Sequence, residues 1–311
     1  MARLEYVAFE PWAESVADGA LTWRLDRKSR KVPRLPQIFW GDGSGWAEAN
    51  HWALDKATQV DVDIETVRSL MKHLHAYADW LEEAELDWRH FPMRLADRAT
   101  VRFRGHVMDL LNHGSLASST ASARMRALIQ FYRFCEAHDL IRPESPMWRE
   151  STVVLRYFDA VGFQRAMVRI TTDLAIRNKA RPGVRLEDGL TPIRGEHMEQ
   201  LLRFTAEGAL QELHLMLITG FFTGARLGSI TTLRIENLEG AVPDASIKGF
   251  VRIPVGPGTG VATKFDVSGD LLVPDFVLSA LKAYAYSPRR LKREAKASAA
   301  NRSVVFLTTH G

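Results

Sequence analysis

Between Val67 and Leu81 the apolar residues Val67, Leu70, Met71, Leu74, Tyr77, Ala78 and Leu81 recur at i, i+3, i+4 and i+7. Arg68, Lys72, His75 and Asp79 occupy the opposite face. That period is the mark of an amphipathic helix, and it commits this part of the chain to burying a helical stripe. Two further helices follow. "DRATVRFRGHVMDLLNHG" stops at Gly114, which suits a helix C-terminus. "RMRALIQFYRFCEAHDLI" starts after "LASSTASA", where Ser118 or Ser119 can cap it. Pro143 and Pro146 end the run. Residues 61–146 therefore read as a compact helical domain able to hold its own core.

The flanking segments are less regular. Residues 1–60 carry Trp12, Trp23, Trp40, Trp46 and Trp52 among glycines and prolines, and neither period holds for long. They read as an extension of unassigned role, ordered and packed on the helical domain. In residues 147–189, "VVLRYFDAVGFQRAMVRITTDLAI" reads as further helix, followed by the polar stretch "RNKARPGVRLEDG", a domain boundary. A second domain, 190–311, follows. "TPIRGEHMEQLLRFT" and "LQELHLMLITGFFTG" are helical, "GFVRIPV" and "DLLVP" are strands around "GPGTGVATKFDVSG", "PDFVLSALKAYAY" is a helix and "SVVFLTT" a short extended piece. The fold class expected is mainly α with a small β-sheet.

Composition excludes several functions. With 46% apolar and 25% charged residues the chain reads as globular, and no run of about 18 apolar residues offers a membrane span. The acid-bearing N-terminus "MARLEYVAFEPW" is no secretory signal. The single Cys135, in "FYRFCEAH", forms no internal disulfide and reads as a buried small residue. A cytoplasmic location is the default. The ten histidines show no paired-ligand spacing, so neither a metal nor a cofactor is expected. "GFFTGARLGS" has Ala225 and Arg226 where a phosphate-binding loop needs Gly and Lys, and "GPGTG" lies between strands as a connecting loop. A net charge of +4 and the basic runs "RLDRKSRKVPR" and "RRLKREAK" permit a phosphate-rich partner without requiring one.

Arg226 poses a sharper question. In "TGARLGSITTL" it precedes Leu227, Ile230 and Leu233 at helical spacing, so its guanidinium sits at a helix start. There its charge adds to free N–H donors and to the positive end of the helix dipole, which makes a phosphate site. An arginine fixing the helix through a salt bridge is an equal reading of the same residues.

"TGARLGSITTLRIENL" resembles the first arginine box of the tyrosine recombinase (phage integrase) family, T-G-x-R-x-x-E-[IL]-x-x-L, with Thr223, Gly224, Arg226, Ile230 and Leu233 matching and Asn237 near the place of a usual aspartate. "SSTASARMRALIQFYRFCEAHDLIRPESP" is similar to the last long helix of that family's SAM-like core-binding domain, and "GVATKFDVSGDLLVP" to the hairpin that carries its catalytic lysine. The resemblance spans residues 61–311. It implies an α+β catalytic domain in which Arg226 clamps a scissile DNA phosphate and Lys264 protonates the leaving 5′-oxygen. A tyrosine would attack to give a 3′-phosphotyrosine, with no metal and no ATP. It implies double-stranded DNA as partner, held between the two domains, self-association into a tetrameric synapse, and a nucleoid-associated role in DNA integration by a mobile element. Arg68, Lys72, Thr120 and Arg124 become candidate major-groove or phosphate contacts; each reads equally as an ordinary solvent-facing residue.

Two departures stand out. Ser229 occupies the place of the family's acid. No H-x-x-R follows Lys264 and no tyrosine follows "FLTT"; Tyr284 and Tyr286 fall in the helix just after the hairpin, too early for the nucleophile, and read as packing residues. The expectation is a recombinase truncated within its catalytic domain and inactive as it stands. The alternatives are a non-catalytic DNA-binding protein on the same scaffold, and a helical interaction module in which Arg226 is structural.

Overall fold

The computed structural model describes all residues except 18–19, 27, 159–161 and 179–191. The chain divides into two compact units, Met1–Pro182 and Gly183–Gly311. The break falls in the expected polar linker, most of which lies outside the described residues.

In the first unit the periodic stripe becomes α2 (Ile64–Glu83), with the Asp63 carboxylate accepting from the Glu65 N–H at 2.9 Å as its cap. Val67, Met71, Leu74, Tyr77, Ala78 and Leu81 are buried to 2% exposure or less, and Leu70 is partly buried. They pack against α3 (Ala99–Asn112) and α4 (Ser118–Ala137). Gly114, at φ +74°, follows α3 as its spacing requires. Neither serine caps α4: Ala117 holds the cap position, and the Ser118 hydroxyl donates instead to the Arg177 carbonyl at 3.4 Å.

The N-terminal segment belongs to the same core. Strand β1 (Arg3–Phe9) pairs antiparallel with β4 (Val32–Phe39), and β2 (Trp12–Ala17) with β3 (Ala20–Leu25). Helix α1 (Ala47–Thr58) follows. Trp46 and Trp52 are each 1% exposed, and Trp46 lies 5.0 Å from Phe131 and 5.7 Å from Trp88 between ring centres. The helices therefore share their core with the segment that precedes them. At its centre the Tyr132 hydroxyl donates to the Trp88 carbonyl at 2.5 Å and pairs with the Tyr77 hydroxyl at 2.7 Å. Cys135 is buried, and burial pushes its thiol up to about 12.

The expected helix after residue 147 is not formed. Its place is taken by an antiparallel hairpin of β5 (Glu150–Phe158) and β6 (Gln164–Thr172). The apolar residues there satisfy a period of two as well as one near four. The β-branched Val153, Val154, Val168, Ile170, Thr171 and Thr172 tip the balance, since they lose side-chain freedom in a helix but fit a pleated ribbon.

The second unit is mixed. Helices α5 (Gly195–Glu207) and α6 (Gln211–Thr223) lead through the loop at 224–226 to two short helices, α7 (Leu227–Thr232) and α8 (Ile235–Glu239). Strands β7 (Val242–Pro243), β8 (Phe250–Val255) and β9 (Gly269–Pro274) form an antiparallel sheet in that order. Helices α9 (Asp275–Ala285) and α10 (Pro288–Glu294) follow. Leu233, Leu238, Ile253, Val273, Val277 and Leu281 form the core, each at 1% exposure or less.

The closing segment "SVVFLTT", expected to be extended, keeps only a single bridge, Val304 to Arg234, before it bends; Val305 N–H donates to the Leu233 carbonyl and Ile235 N–H to the Ser303 carbonyl, both at 2.8 Å. Fully buried Arg290 anchors it. Its guanidinium donates to the Val304, Val305, Arg302 and Ala285 carbonyls and pairs with Glu294.

Candidate functional site: an exposed arginine and lysine on one folded clasp

Helix α6 ends at Gly224, whose φ of +67° needs no side chain and whose N–H reaches the Gly220 carbonyl at 2.9 Å. The Thr223 hydroxyl accepts from the Ala225 N–H at 3.1 Å and so fixes the turn. Arg226 then takes the N-cap position of α7 with extended backbone. Its side chain is exposed, and among the described residues it has neither a hydrogen bond nor an ion pair. The salt-bridge reading of Arg226 has no partner here.

Lys264 lies on the β8–β9 connection, beyond the "GPGTG" loop, whose Gly256, Gly258 and Gly260 all have positive φ. It is exposed and forms no ion pair among the described residues. Its ammonium sits 5.1 Å from the ring centre of Phe265, itself at φ +63° and 85% exposed.

What joins the two cations is Ser229, unexpected from the motif. Its hydroxyl donates to the Ala262 carbonyl at 2.8 Å, while the Ala262 N–H donates to the Thr232 hydroxyl at 2.8 Å. One residue, Ala262, two before Lys264, is thereby held through both its N–H and its C=O by the helix that Arg226 opens. Asn237 ties the same connection from α8: its side chain accepts from the Arg234 N–H at 2.9 Å and donates to the Thr259 carbonyl at 3.0 Å. No spacing rule would find Ser229, because its partner lies 33 residues away and is a backbone oxygen.

The two tyrosines of this unit are engaged. Tyr284 is buried, donates to Glu212 at 3.2 Å, and is pushed up to about 12 by burial. The Tyr286 hydroxyl donates to Glu239, which raises it as well.

In the first unit Arg68 is occupied: it pairs with Glu65 and donates to the Arg34 carbonyl at 3.4 Å. Lys72 is exposed and Arg124 half-buried, and neither forms an ion pair among the described residues. They converge on His73, whose imidazole is held below its ordinary value by burial, then by Arg124, then by Lys72. Thr120 lies one turn before Arg124 on α4, partly buried. Among the described residues no group of acidic, histidine or cysteine side chains could hold a metal ion, and no helix is long and apolar enough to cross a membrane.

Fold and site together define a two-unit α and β protein that presents an unpaired arginine and lysine on one hydrogen-bonded clasp. No protein-family model and no curated protein matches the chain. Among solved structures, the crystal structure of XerA recombinase is similar at a TM-score of 0.26 and 10% identity, over 85% of this chain and 68% of that one. A score that low carries no weight.

Proposed function

We propose that the second unit engages a DNA phosphate through Arg226 and Lys264, as part of a tyrosine-recombinase type of DNA breaking and rejoining. The observation that carries this is that both cations are exposed and unpaired while the backbone between them is pinned by Ser229 and Thr232. Cations held ready and unneutralised suit a phosphorane, whose extra negative charge must be met by groups that need not reorganise. Arg226 can offer two parallel N–H donors to non-bridging oxygens. Lys264 can pass a proton to the departing 5′-oxygen as the phosphorus–oxygen bond breaks and the bond to an attacking tyrosine oxygen forms. Tyr284 and Tyr286 are tied to carboxylates, so on this reading the attacking hydroxyl is neither of them. In the first unit Lys72 and Arg124, with Thr120 and the carbonyl-bound Arg68 nearby in sequence, would supply positioning contacts to duplex DNA.

The engaged tyrosines also favour a second reading, a protein that holds duplex DNA on the same scaffold without cutting it. Incubation with a nicked duplex substrate separates the two. A covalent protein–DNA adduct supports breaking and rejoining, whereas salt-dependent binding without an adduct supports the binder. Both fail if Arg226→Ala and Lys264→Ala bind duplex DNA as tightly as the unaltered chain.

A further inference from the structure

On the flank of α4 away from Arg124, positions 122, 126, 129 and 133 follow one another at i, i+4, i+7 and i+11 and so share one stripe. That stripe walls a groove of about 790 Å³ whose other wall is β6, Val153 of β5 and the residues that follow β6. Arg126, Arg133, Arg169 and Arg177 line the groove, and no acidic residue does. Only Arg133 is neutralised, by Glu150 at 2.6 Å; Arg126, Arg169 and Arg177 have no carboxylate partner among the described residues. The floor is aliphatic, from Met125, Ile129, Ile170 and Ile176.

The β6 wall has a telling pattern. Four consecutive residues, Arg169 to Thr172, face the groove. Side chains of a strand alternate between faces, so four in a row, with Val153 lying opposite Arg169 on β5, mean that the groove runs along one face of the hairpin and round the free edge of β6. That edge is unpaired among the described residues, since β6 bonds only to β5. Beside it the hydroxyl of Thr172, a residue only 7% exposed, is buried without a hydrogen-bond partner.

We propose that this groove binds an acidic peptide segment, added in extended form to the β6 edge. The free edge supplies main-chain hydrogen bonds, the three unneutralised arginines select carboxylates, and the aliphatic floor takes alternate Ile, Leu or Val side chains. A nucleic acid fits the lining less well, because single strands are held by stacking on aromatic rings and the groove has none. The groove is built from residues of the first unit other than Lys72 and Arg124, and the proposal does not depend on the function proposed above.

The test is fluorescence polarisation of the whole 311-residue chain with a labelled library of heptapeptides in which Asp or Glu alternates with Ile, Leu or Val. Binding is expected, weakened about tenfold in the charge-reversal variant R169E/R177E, two exposed positions whose change spares the core. N-methylation of alternate peptide bonds in the bound sequence should abolish it, which a purely electrostatic contact would survive. The proposal is overturned if the library binds no better than polyglutamate, if N-methylation has no effect, or if a single-stranded oligonucleotide displaces the peptide and binds more tightly than it does, with that binding lost in the same variant.

Discussion

Ser229 and the Ala262 carbonyl, 2.8 Å apart, close the clasp between α7 and the strand connection that carries Lys264. The recombinase motif has an acid at this position, and a carboxylate cannot donate to a carbonyl. Ser229→Ala should cost about 1 kcal/mol and speed amide hydrogen exchange over residues 262–266, with Ser229→Glu more severe. Exchange there that is unchanged in both variants would show that the hydroxyl does not hold the loop.

Arg226 and Lys264 touch no partner whose loss would unfold the unit, so Ala at either should leave thermal stability within about 0.5 kcal/mol. If each meets one phosphate, each variant should also lower the slope of log affinity for duplex DNA against log salt by about 0.9. Titrations at several salt concentrations measure this; a lower affinity with an unaltered slope would mean an indirect effect.

His73 is held below its ordinary value of 6.5 by burial and by two neighbouring cations. A depressed base binds fewer protons folded than unfolded, so its neutral form's contribution is fully present above pH 6.5 and is lost as pH falls through the folded value. His73→Gln should therefore flatten the fall in stability below neutrality, read by urea unfolding across pH. Phosphates docked on Lys72 and Arg124 would offset those cations, and duplex DNA should raise the His73 titration midpoint in an NMR experiment. A midpoint that stays put with DNA bound would place the duplex elsewhere.

Tyr132 and Tyr77 share one hydrogen bond, yet they should not be equivalent. Tyr77→Phe removes that bond and leaves Tyr132 donating to the Trp88 carbonyl. Tyr132→Phe strands both the carbonyl and the Tyr77 hydroxyl in a buried place, and should cost about 2–3 kcal/mol against about 1 for Tyr77→Phe. Denaturant midpoints in the reverse order would contradict the bonding described.

Arg290 is fully buried, with its donors spent on backbone carbonyls and Glu294. Arg290→Met should cost roughly 3 kcal/mol or more, because it orphans several acceptors and a carboxylate together. It should also free residues 302–307 to hydrogen exchange. Protection that persists there would mean that the Leu233 and Ile235 ladder holds the segment unaided.

Helical period located α2, which buries one long stripe, and the punctuation of Gly114, Pro143 and Pro146 bounded α3 and α4. Glycine and strand composition likewise placed β8, β9 and the loop between them. The same reasoning failed for residues 150–172, whose apolar spacing fits two periods, and for residues 1–60, where β1 finds its partner β4 some thirty positions away, across the β2–β3 hairpin. Arg226 and Lys264 were legible as residue types with a chemistry, and the order of the chain said nothing of whether either was already neutralised. That was a tertiary matter. The Ser229–Ala262 bond, the isolation of both cations, the capture of Arg68 by the Arg34 carbonyl and the turning of the β6 edge toward an arginine stripe all depend on which distant backbone groups come within 3–4 Å, a hydrogen bond's or an ion pair's reach. A periodic pattern records which face is buried but not what lies against it.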